Sequence, residues 1–229
     1  LSSTSFDGLP NPFAVFKQLG KALRTPLFRC DVAWMNNPVC GPALDLYELA
    51  AKASYLIRHL DDPATLPLAK RLYDIATYSL LPIIPIELRT DPAKYKRLKD
   101  SVLIGEIIMR ASKIQLLKTI NLSIPASDPL IQKEVHAILR RLKEMVPSSP
   151  CKRISTFGLF VCGVPCVDDE QQQIIIDNCP EVSEMTHGCF IFSALKALEI
   201  AWGKDPTHPL YGTGTGVLLN GEILSHVTL

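Results

Sequence analysis

Asp61-Asp62 is the first place in this sequence where residue types and spacing could do chemistry, since adjacent carboxylates are what a helix-borne magnesium site would start from. Such a site needs further acids, and the next residues, Pro63-Ala64-Thr65-Leu66-Pro67, offer none, so the pair reads as a helix stop. His187 lies near Cys179, Glu184 and Cys189, a grouping from which a Cys/His nucleophile could be drawn. On a helix, however, a thiol two positions from an imidazole points about 200° around the axis from it. His187 therefore reads as a residue at a helix start and Cys189 as core. Gly212-Thr213-Gly214-Thr215-Gly216 invites a phosphate loop, but no strand precedes it and no Lys-Ser/Thr ends it, which leaves a flexible tail or a turn. Among the seven cysteines, Cys162 and Cys166 are four apart with no second pair nearby, and Cys30 and Cys40 stand alone. The other histidines, His59, His136, His208 and His226, show no metal-ligand spacing. No metal site and no catalytic residue is predicted in this chain.

One further grouping could bind without reacting. The apolar run from Phe157 to Val164, with Phe190, Phe192 and Trp202 on the helix after it, could line a cavity for a small hydrophobic effector. The candidate contact residues are Phe157, Phe160, Val161, Val164, Phe190, Phe192 and Trp202; plain core packing is the competing reading.

These residues need a scaffold, and the composition provides for one. The chain has 229 residues, 47% of them hydrophobic and 21% charged, with a mean hydropathy of +0.17, which is too apolar for disorder and calls for a large core, a partner surface or a cavity. The longest apolar stretches, such as Ile154 to Val167, are interrupted by Ser, Gly and Pro and fall short of the ~20 residues of a membrane span, so no membrane contact is expected. Lys plus Arg number 24 against 23 acids, a formal charge of +1, and no basic excess is left to neutralise a run of phosphates. Lys94, Lys96, Arg97 and Lys99, and likewise Arg140, Arg141 and Lys143, read as solvated helix faces. The cysteines are odd in number and mostly lie among apolar neighbours, as buried thiols of a reducing compartment do.

The periodicity predicts a single all-α domain over 1–229, with an irregular segment at 1–42 that holds a short helix around Phe13 to Leu23, and a Gly/Pro-rich tail at 203–229. Gly41-Pro42 opens a helix closed by Asp61-Asp62-Pro63, with Leu46, Leu49, Ala50, Ala53, Leu56, Ile57 and Leu60 on one stripe. A second helix over Pro67 to Leu81, with Leu68, Leu72, Ile75, Ala76 and Leu80 inward, stops before Pro82 and Pro85 and pairs antiparallel with the first. Asp91-Pro92 starts a helix to about Ile120 that is apolar on more than one face and therefore central. Ser127-Asp128-Pro129 starts the cleanest stripe, Ile131, Val135, Ile138, Leu139, Leu142 and Met145. The run from Ile154 to Val164 fits a buried helix or a strand, and its all-helical surroundings favour helix. Asp168 caps a helix to Asn178 with Gln171 completing a capping box. A last strong helix spans about His187 to Trp202, and the tail from Val217 to Leu229 forms a short helix or strand.

Four segments follow one another in an order and spacing more specific than any one of them. They are Ser127-Asp128-Pro129-Leu130-Ile131-Gln132-Lys133-Glu134-Val135, Ile138-Leu139-Arg140-Arg141-Leu142 running into Val146-Pro147, Phe157-Gly158-Leu159-Phe160-Val161-Cys162-Gly163-Val164-Pro165-Cys166, and Ala197-Leu198-Glu199-Ile200-Ala201-Trp202. Between about Glu106 and Lys204 they resemble the second fungal-specific transcription factor domain family, the regulatory region found C-terminal to zinc binuclear clusters. The third is similar to that family's buried aromatic and aliphatic run, followed by an acid-rich helix start, here Asp168-Asp169-Glu170. The fourth resembles its closing helix with a late Trp. Gly158 stands where the family pattern has proline, and Pro165-Cys166 replace its polar or small residues. The resemblance implies a regulator of the nucleus, or of cytoplasm and nucleus, whose cysteine-rich head lies upstream and holds zinc and DNA in place of this chain. It further implies a homodimer, transcriptional coregulators as partners and, because sterol-responsive regulators belong to the family, a small hydrophobic ligand. The expected function is thus a non-enzymatic effector domain; a ligand-free α-helical interaction or dimerisation scaffold is the alternative, and an all-α enzyme comes third.

Overall fold

The computed structural model describes residues 12–15, 44–149, 151–152, 155–186 and 189–220, and within these all side chains other than those of 44 and 180–192. Every regular element among them is helical: α1 (Leu44–Leu56), α2 (Thr65–Tyr78), a 3-10 turn (Ile86–Arg89), α3 (Pro92–Ile120), α4 (Pro129–Glu144), α5 (Thr156–Gly163), α6 (Asp169–Thr186), α7 (Cys189–Ala201) and a 3-10 helix (Gly214–Leu219). Residues 12–15 are helical, inside the stretch where the sequence predicts a short helix; the rest of 1–42 and the tail beyond residue 220 lie outside the described residues.

The all-α expectation is met, and α3 is its axis. The Asp91 carboxylate accepts from the backbone N–H groups of Ala93 and Lys94, both at 3.0 Å, and Pro92 occupies the first turn, where a missing N–H costs nothing. From Leu103 to Thr119 every residue of α3 except Arg110 is buried, because α1, α2, α4 and α5 all pack on it. Each Ile or Leu so enclosed contributes about 1.5–3 kcal/mol relative to exposure. The predicted stripe of α4 is buried from Ile131 through Met145 and joins the same core.

Charges buried in so apolar a helix must be paired or hydrogen-bonded, as Lys118 is to the carbonyls of Leu122 and Ile124. The Arg110 guanidinium donates to Glu106 one turn earlier at 2.9 Å and to Glu134 of α4 at 2.6 Å, while Lys113 takes the other oxygen of Glu134. Arg141 of α4 donates to the second oxygen of Glu106 at 2.7 Å. Partner numbers fall along α4 as they rise along α3, so the two helices run antiparallel. The Lys113 ammonium also lies 5.6 Å from the ring centre of Tyr73, which ties in α2.

Three of the expected helix ends need correction. The first helix ends at Leu56, four residues before Leu60, and the chain reaches Asp62 through turns in which Asp62 accepts from Ala64 N at 2.8 Å. More consequentially, α2 stops at Tyr78, so Leu80, predicted to point inward, is 94% exposed, and Ile75 is half exposed. Ser79 is already extended (φ −66°, ψ 130°), and once the helix ends the four-residue step that would carry Leu80 inward no longer applies. In the other direction α6 continues past Asn178 to Thr186.

Helix is also the outcome for the ambiguous apolar run, and glycine makes its placement possible. An added Cβ at Gly158 of α5 would overlap the Cγ2 methyl of Ile107, a branched group close to the α3 backbone with little room to move. At Gly163 the added carbon would meet Leu198 Cδ2 of α7 at 2.8 Å. Gly158→Ala is expected to lower stability by about 1–3 kcal/mol through overpacking, measured by urea unfolding. Glu134→Gln leaves buried Lys113 without its carboxylate, while half-buried Arg110 keeps Glu106, and should cost about 3 kcal/mol in the same assay. Glu170→Gln, which touches only the exposed 3.8 Å pair with Lys143, should change stability by under about 1 kcal/mol.

Candidate functional site

The structure brings five of the seven candidate contact residues together in the main core or against it. Phe157, Phe160, Val161 and Val164 lie on or just after α5 and are all less than 5% exposed within the main core. Trp202, just past the end of α7, is half-buried beside them, and its indole N–H donates to the carbonyl of Gly163, the last residue of α5, at 2.8 Å. Lys204 covers the same indole, its ammonium 4.9 Å from the ring centre. The side chains of Phe190 and Phe192 lie outside the described residues, as do His187 and the side chain of Cys189, the imagined Cys/His pair.

What these residues form is a seam between α5 and α7. The two helices meet closely where Gly163 faces Leu198, and the Trp202 hydrogen bond closes one end. A small apolar molecule entering here would have to part the two helices and would gain contact with aromatic and aliphatic surfaces in return.

The thiols in and near the seam are core atoms. Cys162 Sγ lies 3.9 Å from the carbonyl of Val135, and Cys166 Sγ lies 3.4 Å from that of Cys162. Burial pushes the Cys162 thiol well above the usual range and that of Cys179 up to about 11, so both stay protonated and unreactive at neutral pH. Among the described residues no three His, Cys, Asp or Glu side chains stand close enough to hold a metal ion, and no helix is long and apolar enough to cross a membrane.

A cleft of about 260 Å³ opens elsewhere, between α4 and the start of α6. Arg140 and Lys143 face Asp168 and Glu170 across it, and these opposite charges suit water or a small polar molecule better than an apolar one. Behind it, Gln171 Nε2 donates to Gln132 Oε1 at 3.0 Å, and Gln132 Nε2 donates to the carbonyls of Ala126 and Pro165 at 2.7 and 2.8 Å. The capping box read from Asp168 and Gln171 is present: Asp168 accepts from Gln171 N at 2.8 Å, while Gln171 Oε1 accepts from Val167 N at 2.9 Å, one residue earlier than the usual pattern. The bridge to Gln132 is not visible in the sequence, since a helix-start glutamine gives no sign of a partner 39 residues away.

Asp61-Asp62 lies among the turns between α1 and α2, and the Gly-Thr repeat is divided: Gly212 lies in a turn, whereas Gly214-Thr215-Gly216 is the first half of the last 3-10 helix, with Gly212 and Gly214 at positive φ (71° and 52°). That helix is docked: Val217 and Leu218 are fully buried and the Thr215 hydroxyl donates to the carbonyl of Ile124 at 3.1 Å.

Neither a curated protein nor a solved structure matches the chain. A family model does, over residues 45–211, which runs from the first turn of α1 to the turn after α7 and includes the seam, its Trp202 lock and the ion-paired axis. The chain belongs to the fungal specific transcription factor domain family, and its role is in transcriptional regulation.

Proposed function

We propose that this chain is the effector domain of a zinc-cluster transcription factor, coupling a small hydrophobic effector or a protein partner to a separate head that holds the zinc and the DNA. It acts in the nucleus, pairs as a homodimer, engages transcriptional coregulators and performs no catalysis. The observation that supports coupling is the Trp202 bond to Gly163, which joins the closing helix to the apolar run of α5. An effector lodged in the seam would break that bond and displace α7 with the 3-10 helix packed on it. Occupancy is thereby turned into movement, as a ligand that favours one conformation over another must do. The dense packing of Phe160 and Val161, 1% and 0% exposed, favours the alternative in which the domain is a ligand-free scaffold.

The chain fused behind a heterologous zinc-cluster head is expected to change reporter transcription several-fold relative to the head alone. Trp202→Phe, which keeps the ring and removes the N–H, should shift that output at unchanged protein level. Output equal to that of the head alone would overturn the regulatory reading. A panel of sterols and fatty acids then separates the two forms: an effector raises the melting temperature, by about 2.7 kcal/mol of stability at a hundredfold excess over Kd, and alters Trp202 fluorescence in a Trp34→Phe background. A thermally silent panel with reporter activity retained identifies the scaffold.

A further inference from the structure

The segment that ends α2 and leads to the 3-10 turn reads Ser79-Leu80-Leu81-Pro82-Ile83-Ile84-Pro85-Ile86. Its burial repeats every three residues. Leu80, Ile83 and Ile86 are 94%, 80% and 74% exposed; Leu81 and Ile84 turn inward, Leu81 towards Gly105 of α3 and Ile84 to 8% exposure; Pro82 and Pro85 are half-buried between these two edges. A period of three belongs to the polyproline II helix, which has three residues per turn. The dihedral angles agree: Ser79 is at −66°, 130° and Pro85 at −54°, 145°, and proline confines Leu81 and Ile84 to the same region. Arg89 holds the far end by donating twice to the carbonyl of Ile84, at 3.2 and 3.1 Å.

We infer that this segment is a docking ridge for a protein partner that reads polyproline II through an apolar groove rimmed with carboxylates. The inference goes beyond the effector reading and stands on this surface alone. Pro82-Ile83-Ile84-Pro85 is a P-x-x-P sequence whose prolines hold φ in the range that such grooves accept, so binding loses less chain entropy. Charge decides the kind of groove. Between Ile86 and Lys99 the chain carries five cations (Arg89, Lys94, Lys96, Arg97, Lys99), all exposed, against Glu87 and Asp91, and the Asp91 carboxylate is occupied in capping α3. A chain with a formal charge of only +1 thus gathers positive charge in the stretch of sequence that follows this exposed apolar ridge.

The same observations count against other occupants. A second copy meeting this ridge about a two-fold axis would set the cations against themselves. Entry into lipid would strand the backbone N–H groups of Leu80 and Ile83, which have no backbone partner among the described residues. A protein groove can accept those bonds.

The test titrates the full chain with a panel of recombinant WW domains whose groove rims are acidic or basic. Acid-rimmed members should bind, and basic-rimmed ones at least tenfold more weakly. Ile83→Ser and the double variant Pro82→Ala/Pro85→Ala should each weaken binding at least tenfold, and Lys94→Glu/Lys96→Glu/Arg97→Glu about as much. All these side chains but the half-buried prolines are exposed, so Ile83→Ser and the charge reversals should melt with the parent and show that a loss of binding is not a loss of fold. Binding by no member of the panel, or binding indifferent to these variants, overturns the inference. So does a dimer seen by sedimentation, or flotation with phosphatidylserine vesicles, that Ile83→Ser abolishes, because the ridge would then serve a second copy or a membrane.

Discussion

Burying charge in the middle of an apolar helix is the constraint on which this structure turns. Glu106, Arg110 and Lys113 sit within two turns of α3, in a stretch enclosed on nearly all sides, and an isolated charge there would cost several kcal/mol. Only α4, laid antiparallel with Glu134 facing Arg110 and Lys113 and with Arg141 facing Glu106, supplies partners for all three. Apolar packing alone would allow α4 to slide by a turn along α3. The ion pairs do not, since a one-turn shift would separate Glu106 from Arg141 and Glu134 from Arg110 and Lys113 at once.

With α3 and α4 in register, the remaining elements fit by shape. Ile107, one residue from Glu106, projects into the space left by Gly158, and that contact fixes the depth of α5. Gly163 does the same for Leu198 of α7, and Trp202 closes the joint. Hydrogen bonds from residues distant in sequence then draw the C-terminal 3-10 helix back to the loop after α3, through Thr215 and Ile124.

How much of this could be read beforehand depended on the range of the interaction. Helix starts were legible because Asp91-Pro92 and Asp128-Pro129 act within four residues, and the α4 stripe because its partner surface is apolar whatever its identity. The family was legible from four spaced segments. Leu80 was misplaced because the stripe was carried past the point where Pro82 ends the helix. The ion-paired axis was missed although its signal was present: a helix read as buried on several faces that still carries Glu106, Arg110 and Lys113 must find partners for them. Gln132 and Gln171, joined across 39 residues, left no comparable sign. Of the candidate contact residues, Phe157, Phe160, Val161 and Val164 are core and Trp202 packs beside them, an arrangement that burial of an apolar helix produces by itself.

The two surfaces through which this domain could be addressed are tied to the same short piece of α3. Leu81 of the ridge reaches towards Gly105, while Phe157 and its neighbours hang from the contact of Gly158 with Ile107. Residues 105 and 107 point about 200° apart around a helix, so ridge and seam lie on opposite sides of one helical turn, with Glu106 between them. Rotating α3 to carry a signal across would pull Glu106 from Arg141 and leave buried charges unpaired, the costliest movement available. Displacing α5 or α7 breaks one indole hydrogen bond and some apolar contact. The α5–α7 side is therefore the less costly one to move, and it is there that the proposed coupling to an effector would act, while the axis that braces the ridge stays in place.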